Sequence, residues 1–231
     1  MARTLHVCRP GVVDYERSLE AQRALVSRMA AAPPGERQDW LILLQHPPVI
    51  TIGRRGTRAH VLAAGSQLTT EGVQVVETNR GGDVTYHGPG QVVGYPVFDL
   101  AQHGRDVHLH MRRLEEAVIA TLAVYGVEGF RRKGLTGVWT ERGKIAAIGI
   151  AVSHWIAYHG FALNVSPNLG HFDWIVPCGL RGASISSIQT ETGCAPALEQ
   201  VEDELAGQFR ALFGFGDTVE SSALPAFEEV S

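Results

Sequence analysis

GVWTERGKIAAIGIAVSHWIAYHGFALNV, residues Gly137 to Val165, is the stretch whose reading decides the fold. Val138–Thr140 and Lys144–Val152 are β-prone apolar runs joined by Glu141-Arg142-Gly143, a polar turn ending in glycine, and they predict a hairpin. Trp155 to Val165 is a third run and continues the sheet. Working outward, Leu5–Cys8, Trp40–Leu44, Val49–Ile52, Gly72–Glu77 and Val92–Leu100 predict further strands, with His46-Pro47-Pro48 interrupting the second and third of these. Between them, Tyr15 to Met29 carries Leu19, Gln22, Leu25, Val26 and Met29 at near-helical spacing after Asp14, a candidate N-cap, and Ala31–Gly35 (AAPPG) breaks it. Asp106 likewise caps a predicted helix from Val107 to Tyr125, ended by Gly126. Leu198, Val201, Leu205, Phe209 and Leu212 predict a last helix, stopped by Gly214. Many strands with a few helices between them indicate an α/β (α+β) sandwich, a mixed sheet with flanking helices. With no internal repeat and no long linker, one domain is expected over 1–216. Residues 217–231 hold three Glu and one Asp but no Lys or Arg, and read as an acidic, flexible tail.

Composition excludes several classes. At 231 residues, 45% hydrophobic and 19% charged, the chain is long enough for a full core without disulfide staples. A net charge of −4 argues against a general nucleic-acid binder. No apolar run approaches the ~18 residues of a membrane span, and Met1–Val13 has no continuous apolar segment of the secretory kind. A soluble, cytoplasmic protein is expected. The cysteines, Cys8, Cys178 and Cys194, form no Cys-x-x-Cys pair, and the histidines show no metal-binding spacing; no metal and no cofactor is indicated. Of the twenty basic residues only Lys133 and Lys144 are lysines. Arginine holds its proton, whereas lysine exchanges one, so a lysine kept in so arginine-rich a chain is a candidate for chemistry.

Three segments carry chemical promise. Arg80-Gly81-Gly82-Asp83-Val84-Thr85-Tyr86-His87-Gly88-Pro89-Gly90-Gln91 reads as a long loop whose four glycines let the backbone approach a ligand, with Arg80, Thr85 and His87 as donors. Glycine alone would serve a mere turn; the added Arg, Thr and His favour binding. Gly53-Arg54-Arg55-Gly56-Thr57-Arg58 lacks the Walker pattern and reads as an exposed basic turn, and Arg54, Arg55 and Arg58, with Arg131 and Arg132, are candidate docking patches for an acidic partner. Val176-Pro177-Cys178-Gly179-Leu180 sets a thiol between Pro and Gly, open to a bulky acyl group, whereas Cys8 and Cys194 suit the inert role of most lone cysteines. His159 stands at the edge of an apolar strand.

In order along the chain, RGGDVTYHGPGQVVGYP, GVWTERGKIAAIGI, YHGFALNV and IVPCG strongly resemble the lipoyl(octanoyl) transferases, also called lipoate-protein ligase B proteins. The similarity runs from about His46 to Gly179. It implies a fold similar to the catalytic module of biotin and lipoate ligases. It implies transfer of an octanoyl group from octanoyl-acyl carrier protein to a lysine of lipoyl domains, such as those of 2-oxoacid dehydrogenases and the glycine-cleavage H protein. By position, the family's acyl-thioester cysteine falls on Cys178 and its pKa-lowering lysine on Lys144. Its substrate contacts fall on Arg80, Gly81, Gly82, Asp83, Val84, Thr85, Tyr86 and His87, on Ala147, Ile148 and Gly149, and on Gly160, Phe161 and Ala162. Gln45, where an acidic residue is expected, and Asp83 depart from the pattern. An apolar tunnel for the acyl chain is expected, with Ile148, Phe161 and Leu163 as candidate walls. Lys144, His87 and His159 are all candidates to take the acceptor's proton. The rivals are an ATP-dependent lipoate or biotin ligase of similar fold, which needs no cysteine nucleophile, and an inactive binding module.

Overall fold

The computed structural model describes residues 3–176 and 184–225. In chain order its first half runs β1 (Arg3–Val12), α1 (Tyr15–Ala31), β2 (Asp39–Gln45), β3 (Val49–Ile52), α2 (Gly65–Thr70), β4 (Gln74–Glu77), β5 (Val84–His87) and β6 (Gln91–Asp99). The second half runs α3 (Val107–Val124), β7 (Phe130–Arg132), β8 (Leu135–Trp139), β9 (Lys144–Ser153), β10 (Ile156–Asn164), α4 (Ile188–Thr192), α5 (Leu198–Phe213) and β11 (Phe215–Ser221). Eight strands form a mixed sheet in the order β11-β1-β2-β6-β10-β9-β8-β7, and β4-β3-β5 form a second, smaller one. This is the α/β sandwich that the strand and helix patterns predict.

The run Leu41-Ile42-Leu43-Leu44 is continuously apolar because the large sheet is covered on both faces. Leu41 and Leu43 point into a core shared with Leu114 and Val118 of α3 and Leu205 and Phe209 of α5. Ile42 and Leu44 point the other way, onto Leu25, Val26 and Met29 of α1. Each such fully buried side chain contributes about 1.5–3 kcal/mol. A third core lies beneath the small sheet, where Ile50, Ile52, Val84 and Tyr86 meet Phe172 and Ile175.

The helix ends follow local chemistry. Asp106 accepts hydrogen bonds from the His108 and Leu109 amides, and Gly214 closes α5 in the left-handed conformation. Asp14 stands at the N-cap of α1 but its side chain makes no capping bond. Two expectations are corrected. Arg80–Gln91 is not loop throughout, because Val84–His87 pairs antiparallel with Val49–Ile52 as β5. Asp217 to Ser221, read as the start of a flexible tail, belongs to β11, which runs parallel to β1. That strand is exposed along Gly216–Glu220, so it shows no apolar alternation. Its ladder to β1 holds it, and the Cys8 thiol donates to the Ala223 carbonyl at 3.0 Å just beyond.

Candidate active site

β9 and β10 pair so that Ala147 faces Ala162, Ile148 faces Phe161 and Gly149 faces Gly160. Side chains alternate across a sheet, so Ala147 and Gly149 share one face and Ile148 takes the other. Exposure follows this alternation: Ala147 and Gly149 are partly open, while Ala146, Ile148 and Ile150 are buried in the core beneath α3 and α5. The cleft face is therefore a stripe of residues with almost no side chain. A Cβ on Gly149 would lie 2.6 Å from the Gly81 carbonyl oxygen, and one on Gly160 only 2.1 Å from that of Gly94. The bare backbone lets the Arg80–Gly82 segment rest on β9, where the Gly81 amide donates to the Ile150 carbonyl at 2.8 Å.

That segment roofs the stripe and is held from behind. The amides of Gly53, Arg54 and Arg55 donate to the carbonyls of Asp83, Arg80 and Gly82 at 3.1, 3.0 and 3.0 Å. The basic turn is exposed at Arg54, Arg55 and Arg58, as expected, but its main chain also clamps the roof. Arg80 is buried and donates to the Thr51 carbonyl at 2.7 Å and to the Thr51 hydroxyl. Asp83 Oδ1 accepts from His60 Nδ1 and from the Val84 amide, each at 2.8 Å. Its carboxylate thus shapes the loop.

Lys144 opens β9, 9% exposed, with its ammonium 5.6 Å from the centre of the Trp139 ring. Its amide donates to the Ser184 carbonyl at 2.9 Å, and its own carbonyl accepts from the Ser186 amide at 2.9 Å. Cys178 lies outside the described residues. Of its flanks, Val176 donates its amide to the His60 carbonyl at 2.8 Å, and Ser184 meets Lys144 as just given.

Between stripe and roof runs a narrow cleft bordered by Lys144, Ala147, Gly149, Gly160, Ala162 and His87. It adjoins a basin of about 620 Å³ that shares Gly82, Asp83, Lys144 and Gly149 and reaches Arg54, Arg55, Met111 and Trp139. Its inner end is aromatic and polar. His46 Nδ1 lies 2.5 Å from the Val13 carbonyl, which only accepts, so that nitrogen carries the proton and Nε2 accepts from the Tyr95 hydroxyl at 2.7 Å. His159 Nε2 donates to Asn79 Oδ1 at 2.8 Å, leaving Nδ1 without a partner; His87 Nδ1 also has none. Burial keeps these rings neutral, holding His46 at about 4 and His159 at about 3. His87 is driven well below the usual histidine range by burial, with the Arg80 charge adding to the effect.

The lipoyl protein ligase A/B catalytic domain matches residues 14–210. The chain belongs to that family. Within the ligase A/B family, the chain is 46% identical over 225 residues to the octanoyltransferase of Chloroflexus aurantiacus, covering 96% of this chain and 100% of the relative. It is 48% identical over 212 residues to that of Caldicellulosiruptor saccharolyticus, covering 91% and 89%. A crystal structure of lipoate-protein ligase A bound with ATP superposes with a TM-score of 0.74 at 16% identity, over 99% of this chain and 90% of that one. The sandwich is therefore the lipoate-ligase fold.

Of the residues that the family resemblance singled out, Arg80, Gly82 to Thr85, His87, Lys144, Ala147 to Gly149 and Gly160 to Ala162 all border the cleft, and Gly81 borders the basin. Tyr86 does not. It is buried beneath the small sheet, and its hydroxyl meets His171 Nδ1 at 2.7 Å. Leu163, expected as a tunnel wall, lies in the core on the far face, and Ile148 and Phe161 belong to that same core although they border the cleft. Tyr15, Tyr95, Asn79 and Thr51 at the site were not anticipated. Tyr15 and Thr51 come from distant segments with no local motif to mark them, whereas Asn79 adjoins and Tyr95 closes the glycine-rich stretch that begins at Arg80.

Proposed function

We propose that the chain takes an octanoyl group from octanoyl-acyl carrier protein onto Cys178 as a thioester and passes it to the lysine of a lipoyl domain. The 2-oxoacid dehydrogenases and the glycine-cleavage H protein are the acceptor class. Its 46–48% identical relatives are octanoyltransferases, so the chain is read as an acyltransferase serving lipoylation. One observation carries the reading: a thin cleft floored by Ala147, Gly149, Gly160 and Ala162 ends at a lysine. Such a floor suits an unbranched acyl chain lying along the strands, with its carbonyl delivered to Lys144.

The flanks of Cys178 support its part. Val176, two residues before it, is tied to His60, which bonds Asp83 in the cleft wall. Two peptide steps reach at most about 7 Å. A free thiol is only a few per cent thiolate at neutral pH, and a nearby ammonium raises that share. The Cys178 thiolate attacks the carrier's thioester carbonyl; the carbon–sulfur bond to the carrier breaks, and Lys144 gives its proton to the departing thiolate. The acceptor amine then attacks the Cys178 thioester, Cys178 leaves as thiolate, and the amine's proton returns to Lys144. Thioester becomes amide, which runs downhill without ATP. The alternatives for proton transfer are weaker, because His159 at about 3 and His87 well below its usual range hold a proton poorly.

Arg54 and Arg55 at the rim of the basin, with Arg58 beside them, are the proposed landing site for acidic partners. Arg131 is not part of it, since it pairs with Glu115 and Glu116, and Arg132 lies over the Trp139 ring at 4.5 Å. If rates ignore ionic strength, this steering is wrong. Among the described residues no helix is long and apolar enough to cross a membrane, and we take the cytoplasm as the place of action. Intact-protein mass spectrometry tests the whole. Octanoyl-carrier without ATP is expected to add one octanoyl group to the wild type and none to Cys178→Ser. No adduct on the wild type, with amide formed only when ATP and free octanoate are supplied, makes it a ligase instead.

A further inference from the structure

We infer that the inner end of the cleft, a wall made by Tyr15, Tyr95, His87 and His159, is the ruler that limits the acyl chain to about eight carbons. This rests on the cleft being the acyl site. The register gives its length. Phe161 pairs with Gly94 and Gly160 with Gly149, so Tyr95 stands level with Gly149, five residues along β9 from Lys144. At about 3.3 Å per residue this is about 16 Å. A zigzag chain with bonds of about 1.5 Å advances about 1.3 Å per carbon, so eight carbons take about 9 Å. Some 7 Å is left for the two catalytic groups and the carbonyl between them.

His159 is the telling residue. It sits two positions from Phe161 and by alternation belongs on the far face with it. Instead its φ is +57°, a left-handed conformation rare outside glycine. The twist brings the ring to the cleft side, against Tyr95, Tyr158 and Asn79. A strained backbone persists where its surroundings fix it, and here they do. The His159 amide donates to Gln22 Oε1 at 2.8 Å, while the Tyr15 hydroxyl donates to Thr78 Oγ1 at 3.1 Å and the Tyr95 hydroxyl to His46. The rings of Tyr15, Tyr95 and His159 are each held by a bond to a different segment. A ninth or tenth carbon has to move rings that are locked in place.

His159→Gly is the variant of choice, because glycine adopts the same φ freely while the ring is removed. Acyl-pantetheine thioesters of 6 to 14 carbons serve as probes, about one step of chain length at a time. Binding is measured on the Cys178→Ala protein and transfer on the protein with Cys178 intact. We expect twelve carbons to bind and react at least tenfold worse than eight in the wild type, and His159→Gly to raise that twelve-to-eight ratio at least tenfold. Tyr15→Ala is expected to act in the same direction and Tyr15→Phe, which keeps the ring, to leave the ratio alone. Folded His159→Gly and Tyr15→Ala proteins with the wild-type ratio overturn the ruler. Absence of binding at every chain length overturns the acyl-site reading itself, a separate outcome.

Discussion

At Gly149 a single added methyl would lie 2.6 Å from the Gly81 carbonyl oxygen, an atom of main chain rather than of a side chain that can swing away. The roof has to lift. We expect Gly149→Ala to fold with a loss of about 1–3 kcal/mol, the usual range for overpacking, and to transfer octanoyl at least tenfold more slowly. Steady-state kinetics with a melting curve check both, and wild-type kcat/KM shows that the roof's contact with β9 is dispensable. Lys144→Arg asks a different question, keeping the charge but not the exchangeable proton. Its adduct on Cys178 is expected to form while transfer to the acceptor falls by a factor of ten or more; unchanged turnover removes Lys144 from proton transfer. These residues were legible in the sequence because glycine spacing and a scarce lysine are local signals. Tyr15 was not. Its work at the site depends on which elements become neighbours, and nothing beside it in the chain says so.

The roof is one element made from two segments joined by main-chain hydrogen bonds. Gly53–Arg55 supplies amides, Arg80–Asp83 supplies carbonyls, and β5 continues the second segment by pairing with β3. This explains why Val84–His87 did not read as a strand: glycine clusters flank it, and its pairing partner lies more than thirty residues earlier. β11 escaped notice for the opposite reason, as an edge strand exposed along Gly216–Glu220, anchored by its ladder to β1, by buried Phe215 and by the Arg9–Glu220 ion pair. The hairpin β8–β9 and the strands β3 and β6 were legible, since their apolar runs are dictated by burial. Asp83 tests the roof as a unit. Asp83→Ala removes both the His60 contact and the Val84 amide's acceptor, each a bond to an ionised group of about 1.5–3 kcal/mol. Amide hydrogen exchange is expected to quicken across 80–84 while the large sheet stays protected, and KM for the acyl donor to rise several-fold. Exchange unchanged at those amides shows that the Gly53–Arg55 clamp suffices.

Across the whole molecule, four buried histidines share one electrostatic fate. His46 titrates at about 4, His110 and His159 at about 3, and His87 well below the ordinary value, each chiefly because burial disfavours the charged ring. In the unfolded chain all four titrate near 6.5. Above that pH neither state holds the extra proton, and stability is flat with respect to these groups. Below it the unfolded chain takes up protons that the folded one refuses, so stability falls as pH drops from about 6.5 toward 4, and on to about 3 for His110 and His159. Each group contributes up to about 1.4 kcal/mol per pH unit. His110 isolates the effect, because it lies outside the cleft. It packs on Phe98 and Phe213 with both ring nitrogens unpartnered, and the His103 ring and Arg113 add to the shift. His110→Leu is expected to stabilise the protein at pH 7 and to make the acid limb shallower by one proton's share. Urea unfolding at pH 7, 6 and 5 measures that slope. A limb as steep as the wild type's means that His110 finds a proton in the folded state after all, and that the core beside α3 admits water.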